Sequence, residues 1–136
     1  MVGIRKLVLL AAMLVAVAGV AIPSALGHTA KTAVAVKLKE FSVTASPASA
    51  KAGPVVFNVK NTGKLAHELD VVKTSLPVAK LPVKASRVTL KPLGKVSVQP
   101  GKSAALGFGL KPGKYVLYCN VSGHYAAGQR VGFTVK

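Results

Sequence analysis

Apolar residues recur at every second position in short runs, with glycine and proline between the runs. Val34, Val36 and Leu38 make one run, and Val55, Phe57 and Val59 a second. Leu69 with Val71, Val96 with Val98, Ala104 to Leu110, and Val131, Phe133 and Val135 continue the pattern. A period of two places successive side chains on opposite faces of a strand, so each run buries one face and leaves the other in water. Turns such as Ala52-Gly53-Pro54 and Lys111-Pro112-Gly113-Lys114 separate the runs. Strands this short at this spacing predict an all-β fold, a Greek-key antiparallel β-sandwich of seven to eight strands. Phe41 and Val43 alternate in the phase opposite to Val34–Leu38, which predicts a first strand interrupted by a bulge near Lys39 and Glu40. Pro77, Pro82 and Pro92 break up residues 77–94, read as a long excursion with at most short strands or one helical turn.

The first 27 residues follow a different rule. Arg5 and Lys6 precede an unbroken apolar run from Leu7 to Ile22, and Pro23, Ser24, Ala25 and Gly27 follow it. A positive start, an apolar stretch and small residues at the end are the marks of a secretory signal peptide over 1–27. The run is shorter than the roughly 20 residues of a spanning helix, although an uncleaved anchor is the rival reading. Residues 28–136 then form one domain, exported to the periplasm or the extracellular space, or held at the outer face of the cytoplasmic membrane.

From His28 onward the chain keeps 17 of its 19 lysines and arginines against Glu40, Glu68 and Asp70, a net charge of +14. That surface attracts anions. The lysines are spread through strands and turns, aromatic residues are few and no nucleic-acid motif is present, so the partners expected are acidic redox proteins or anionic membrane surfaces, and no nucleic acid. With three acidic residues in all, there is neither a carboxylate pair nor a hydrolytic triad, and no enzyme is expected.

Cys119 is the only cysteine. It has no partner for an internal disulfide and is therefore a buried spectator, an intermolecular bridge or a ligand. It stands in "YCNVSGHYAAGQ", where Cys119, His124 and Gln129 are each five positions from the next, between the last two expected strands. Such a loop can fold its residues around one point but rarely completes a ligand set alone. His67, in "KLAHELDVV" at the start of the third strand, can meet it, because strand ends remote in sequence share a pole of a sandwich. Two imidazoles, a thiolate and a weak axial group form the trigonal set of a blue-copper centre, and Gln is among the known axial groups.

The stretches "VKLKEFSVTASPASAKAGPVVFNVKNTGKLAHELDVVKT" and "PGKSAALGFGLKPGKYVLYCNVSGHYAAGQRVGFTV" resemble the cupredoxin superfamily, especially its exported sulfocyanin-like and plastocyanin/azurin-type members. The similarity runs from about Val34 to Val135. The corresponding loop there reads Cys-Asn-x-x-Gly-His-x-x-x-Gly-Met, so the resemblance implies His67, Cys119 and His124 as equatorial ligands of one type 1 copper ion. Gln129 stands where Met is usual, as in stellacyanin-like members. The function implied is that of a one-electron carrier cycling Cu(I) and Cu(II) through the edge of His124. Val121, Tyr125, Ala126 and Ala127 around that histidine are expected to form an apolar docking patch ringed by Lys64 and Arg130, on a monomer.

Several alternatives stay open at this point. A copper chaperone or storage protein would pass on the metal itself, and a zinc-loaded or metal-free module would use it only structurally. His28, first in the chain if cleavage follows Gly27, has an amine and an imidazole able to chelate copper. Around the loop, Gly123 and Gly128 are expected in conformations closed to other residues, Asn120 as a brace, and the Glu68 N–H as a donor to the Cys119 sulfur.

Overall fold

A computed structural model of the protein describes residues 30–136; the segment read as a signal peptide and His28 lie outside them. Two sheets pack face to face. One has the strand order β2-β1-β4-β9, built from β1 (Thr32–Lys39), β2 (Ser42–Ser46), β4 (Gly53–Asn61) and β9 (Ser103–Leu110). The other has the order β3-β11-β10-β5-β8, built from β3 (Ser49–Ala50), β5 (His67–Lys73), β8 (Gly94–Val98), β10 (Gly113–Tyr118) and β11 (Arg130–Val135). The all-β sandwich is the one that alternation predicts. Val34, Val36, Leu38, Phe57 and Val59 from one sheet meet Leu69, Val71, Leu117 and Phe133 from the other in a single buried core, with Phe57 edge-on to Phe133 at 5.3 Å. No helix among the described residues is long and apolar enough to cross a membrane.

Three details differ from the alternation pattern. The phase change at residues 39–41 is a hairpin and not a bulge: Lys39 pairs with Ser42 and Leu38 with Val43, which leaves Glu40 and Phe41 as a two-residue loop at one pole. A bulge and a tight turn both reverse the phase of burial, and the Glu-Phe pair carries none of the Gly or Asn signals of a two-residue turn. Two pairings are also parallel, β1 with β4 and β3 with β11. The number of strand segments rises because short pieces, β3 among them, pair at the edges.

The excursion holds only the short β6 (Val83–Lys84) and β7 (Arg87–Val88), paired with each other. It covers the outer face of the second sheet, where Leu81 and Val88 pack with Val72, Val116, Tyr118 and Tyr125 in a second buried cluster. Side chains alternate along β10, so Tyr115 and Leu117 enter the main core while Val116 and Tyr118 enter this second one. By the same alternation Cys119, one residue beyond β10, turns back toward the interior between the sheets.

Candidate metal centre

Antiparallel pairing of β5 with β10, in the register Tyr118 to Asp70, sets the start of β5 beside the end of β10. His67 and Cys119 therefore share one pole. Asn61, fully buried, shapes the turn that delivers His67: its side-chain oxygen accepts from the Gly63 N–H at 2.9 Å, while its amide donates to the Leu65 and Val98 carbonyls, each at 2.8 Å. The N–H of Glu68 donates to Cys119 Sγ at 3.3 Å, the bond expected from the sequence.

The loop from 119 to 129 closes on itself. Cys119 N–H donates to the Gln129 carbonyl at 3.0 Å, and Gln129 N–H donates to the His124 carbonyl at 3.1 Å. Gly123 and Gly128 take φ of +81° and +113°, which glycine alone adopts without strain. Asn120 accepts from Val88 N–H at 2.8 Å and donates to Val88 O at 3.2 Å, so it fastens the loop to β7. Tyr125 does the same on the other side: its hydroxyl donates to Val78 O at 2.7 Å and accepts from Leu81 N–H at 3.0 Å. Tyr125 is thus an anchor in the second core and not part of an exposed docking patch. Its ring packs edge-on to Tyr118, and the Arg130 guanidinium lies over it; the glycine-rich surroundings in the sequence give no sign of this burial.

The result is three donor atoms aimed at one point. His67 Nδ1 and His124 Nδ1 are 3.2 Å apart, and Cys119 Sγ lies 3.8 Å from the first and 3.5 Å from the second. The point equidistant from three atoms so separated is about 2.0 Å from each, the length of a metal–imidazole bond. Cys119 is 0% exposed, His67 1% and His124 8%, so water reaches the centre only past His124. Gln129 is fully buried, and neither its amide oxygen nor its nitrogen has a hydrogen-bond partner. Leaving a buried amide unpaired costs about 1–3 kcal/mol, and a cation beside it would relieve the oxygen. This orphaned amide, backbone-bonded to both Cys119 and His124, fits a metal in the pocket.

Sequence reasoning missed two residues of the Glu40-Phe41 loop. Glu40 Oε1 lies 3.1 Å from His67 Nε2 and accepts from Lys64 N–H at 2.7 Å and Leu65 N–H at 2.6 Å. The Leu65 bond, opposed in part by burial and joined by Lys64 and His67, brings the Glu40 carboxyl down to about 2. Phe41 packs edge-on to His124 at 5.2 Å and is 45% exposed. Burial pushes His67 below its ordinary value against the pull of Glu40. Burial also pushes the Cys119 thiol up, opposed only in part by the Glu68 and Val121 N–H groups. A bound cation would supply the missing stabilisation of the thiolate.

Comparison with known proteins supplies the fold's identity. Auracyanin from Roseiflexus castenholzii, in its reduced form, superposes with a TM-score of 0.58 at 22% identity, over 79% of this chain and 98% of that one. Rusticyanin from Thiobacillus ferrooxidans gives 0.58 at 22% identity over 79% of each chain. The protein has the cupredoxin fold. Auracyanin A, described as a "blue" copper protein from Chloroflexus aurantiacus, gives 0.59 at 18% identity over 79% of this chain and all of its own. No family model and no curated sequence matches the chain. Likeness at this identity is likeness of the cupredoxin scaffold; the case for a metal rests on the donor geometry above.

Behind the centre, Asp70 is buried on the outer face of β5, and its Oδ1 and the Tyr118 hydroxyl have no hydrogen-bond partner. Burial, reinforced by Glu68, raises the Asp70 carboxyl from 3.8 to about 7. The folded state thus keeps a proton that the unfolded chain releases near pH 4, so the resulting stabilisation is complete below about pH 4 and is lost as pH rises through about 7. Asp70→Asn keeps the shape and removes the titration. In chemical denaturation of the metal-free protein, the stability of the unmodified chain relative to Asp70→Asn should fall between pH 4 and 7 and level off above. A relative stability that does not change with pH would show that Asp70 ionises as it does in the unfolded chain.

Proposed function

We propose that the protein is an exported blue copper protein that carries single electrons. The observation that supports this reading most is the convergence of His67 Nδ1, His124 Nδ1 and Cys119 Sγ within 3.8 Å of one another in a dry pocket. One soft thiolate and two imidazoles in a trigonal arrangement are the donor set of blue-copper centres. His67, Cys119 and His124 would hold the ion, with the unpartnered Gln129 amide oxygen available as a fourth donor. Copper bound there would supply a one-electron couple at a fixed site.

The chain's own part is to keep that site from changing. His67 sits on β5 and Cys119 at the end of β10, two strands joined along their length. His124 and Gln129 are locked by the closed backbone of their loop and by its fastenings to residues 78–88. Donors held this firmly fit both oxidation states with little movement, which favours fast electron exchange. The Glu68 N–H supports negative charge on the sulfur. Only His124 approaches the surface, beside the exposed ring of Phe41, which makes its edge the route for electrons. The same burial speaks against the chaperone reading, because a metal enclosed by Cys119 and His67 has no open face for hand-over.

The surface supports an acidic redox partner. None of the three acidic side chains is free on the surface: Glu40 lies on His67, Glu68 near Lys95 at 3.5 Å, and Asp70 is buried. Lys95 apart, the lysines and arginines of the described residues have no carboxylate side chain beside them. Export is supported by the leader-like residues 1–27, and an intact mass lacking those residues in protein recovered from its own cells would establish cleavage; a full-length mass would show an anchor.

Cu(II) added to the purified protein should produce an intense visible charge-transfer band that Cys119→Ser abolishes and that His67→Ala or His124→Ala weakens or shifts. Gln129→Met should keep the colour and raise the reduction potential, since an amide oxygen favours Cu(II) more than a thioether does. A colourless copper complex of the unmodified protein would contradict the proposal. Electron exchange with an acidic carrier protein should slow steeply as salt rises past 0.1 M, where charges are screened beyond about 10 Å. A rate that stays flat would mean the charge serves solubility alone.

A further inference from the structure

The two-residue loop between β1 and β2 touches both imidazoles of the centre. Phe41 lies edge-on to His124, and the Glu40 carboxylate accepts a hydrogen bond on the far nitrogen of His67. The carboxylate is not placed there by chance contact. Two backbone N–H groups, those of Lys64 and Leu65, hold the same oxygen. Room for it is left by Gly63, where a Cβ would run into the carboxylate. Both parts of the seat belong to the turn that Asn61 shapes on the way into His67. Charge, donors and space thus form one built arrangement, although Glu40 and His67 are 27 positions apart.

An ionised carboxylate has no proton to give, so the hydrogen between Glu40 and His67 belongs to the imidazole. With Nε2 carrying it, neutral His67 presents a bare lone pair at Nδ1, the atom that faces Cys119 and His124. Carboxylate partners of metal-binding histidines fix the tautomer and raise ligand basicity. A negative charge one imidazole away from the centre also favours the more highly charged metal ion.

Building on the copper reading above, we propose that Glu40 is a positioning residue of the centre: it holds His67 in the tautomer that can bind metal and biases the bound couple toward Cu(II). The bias and the fixed tautomer are separable. Glu40→Gln offers an amide oxygen to the same three N–H groups but removes the charge. Glu40→Ala removes both. Gly63→Ala leaves Glu40 in the chain and displaces its carboxylate.

Long-range 1H–15N spectra of the metal-free proteins at pH 7 report the His67 tautomer without any copper. The unmodified protein and Glu40→Gln should show the Nε2–H form alone, whereas Glu40→Ala and Gly63→Ala should show a mixture. On copper loading, Glu40→Gln should raise the preference for Cu(I) over Cu(II) about tenfold, equivalent to 59 mV for a one-electron couple. Glu40→Ala should in addition weaken Cu(II) binding by roughly 10- to 100-fold. A single Nε2–H tautomer in Glu40→Ala, or an unchanged potential in Glu40→Gln, would overturn the role of Glu40. Failure of the unmodified protein to bind copper would overturn the copper reading and the bias together, while the metal-free spectra would still decide the tautomer.

Discussion

The pairing of β5 with β10 is the constraint on which the site depends. It brings residues 67 and 119, from separate parts of the chain, to one pole of the sandwich, and the Glu68 N–H bond to the Cys119 sulfur continues that pairing one step beyond the last strand residue. Everything else in the centre is hung from these two fixed points. The loop that carries His124 and Gln129 begins at Cys119 and returns to it through the Cys119–Gln129 backbone bond. The excursion from 74 to 93, irregular for most of its length, then acts as a buttress: Val78, Leu81 and Val88 receive Tyr125 and Asn120 and keep the loop from opening.

Polar and charged groups are distributed with the same economy. The described residues have three acidic side chains, and all of them lie within or just behind the metal pole. Glu40 faces the outer nitrogen of His67, Glu68 contributes its backbone to the sulfur while its side chain meets Lys95, and Asp70 is buried one layer back. The remaining surface is cationic. This separation places one firmly ionised carboxylate, Glu40, beside the donors and leaves a long-range positive field over the rest of the surface.

Much of this was legible in the sequence, and the reasons are physical. Strands buried on one face alternate, so Val34 to Leu38, Val55 to Val59 and Val131 to Val135 declare their own faces. The spacing of Cys119, His124 and Gln129 is local and therefore visible. Tertiary choices were not. A hairpin at Glu40-Phe41 and a bulge leave the same trace of reversed phase, and only pairing distinguishes them. The contact from Glu40 to His67 depends on that hairpin, so it was hidden with it. Tyr125 looked like surface because its loop is rich in Gly and Ala, whereas its ring is claimed by a second core made from an excursion with no periodicity of its own.

The central claim is that two imidazole nitrogens and one thiolate sulfur converge on a single copper ion. X-ray absorption at the copper edge of the loaded protein counts the neighbouring atoms by element and distance, independent of colour and of potential. The account predicts one sulfur neighbour and a nitrogen shell that includes two imidazoles, with the sulfur lost in Cys119→Ser. A copper ion surrounded only by nitrogen and oxygen in the unmodified protein would contradict it.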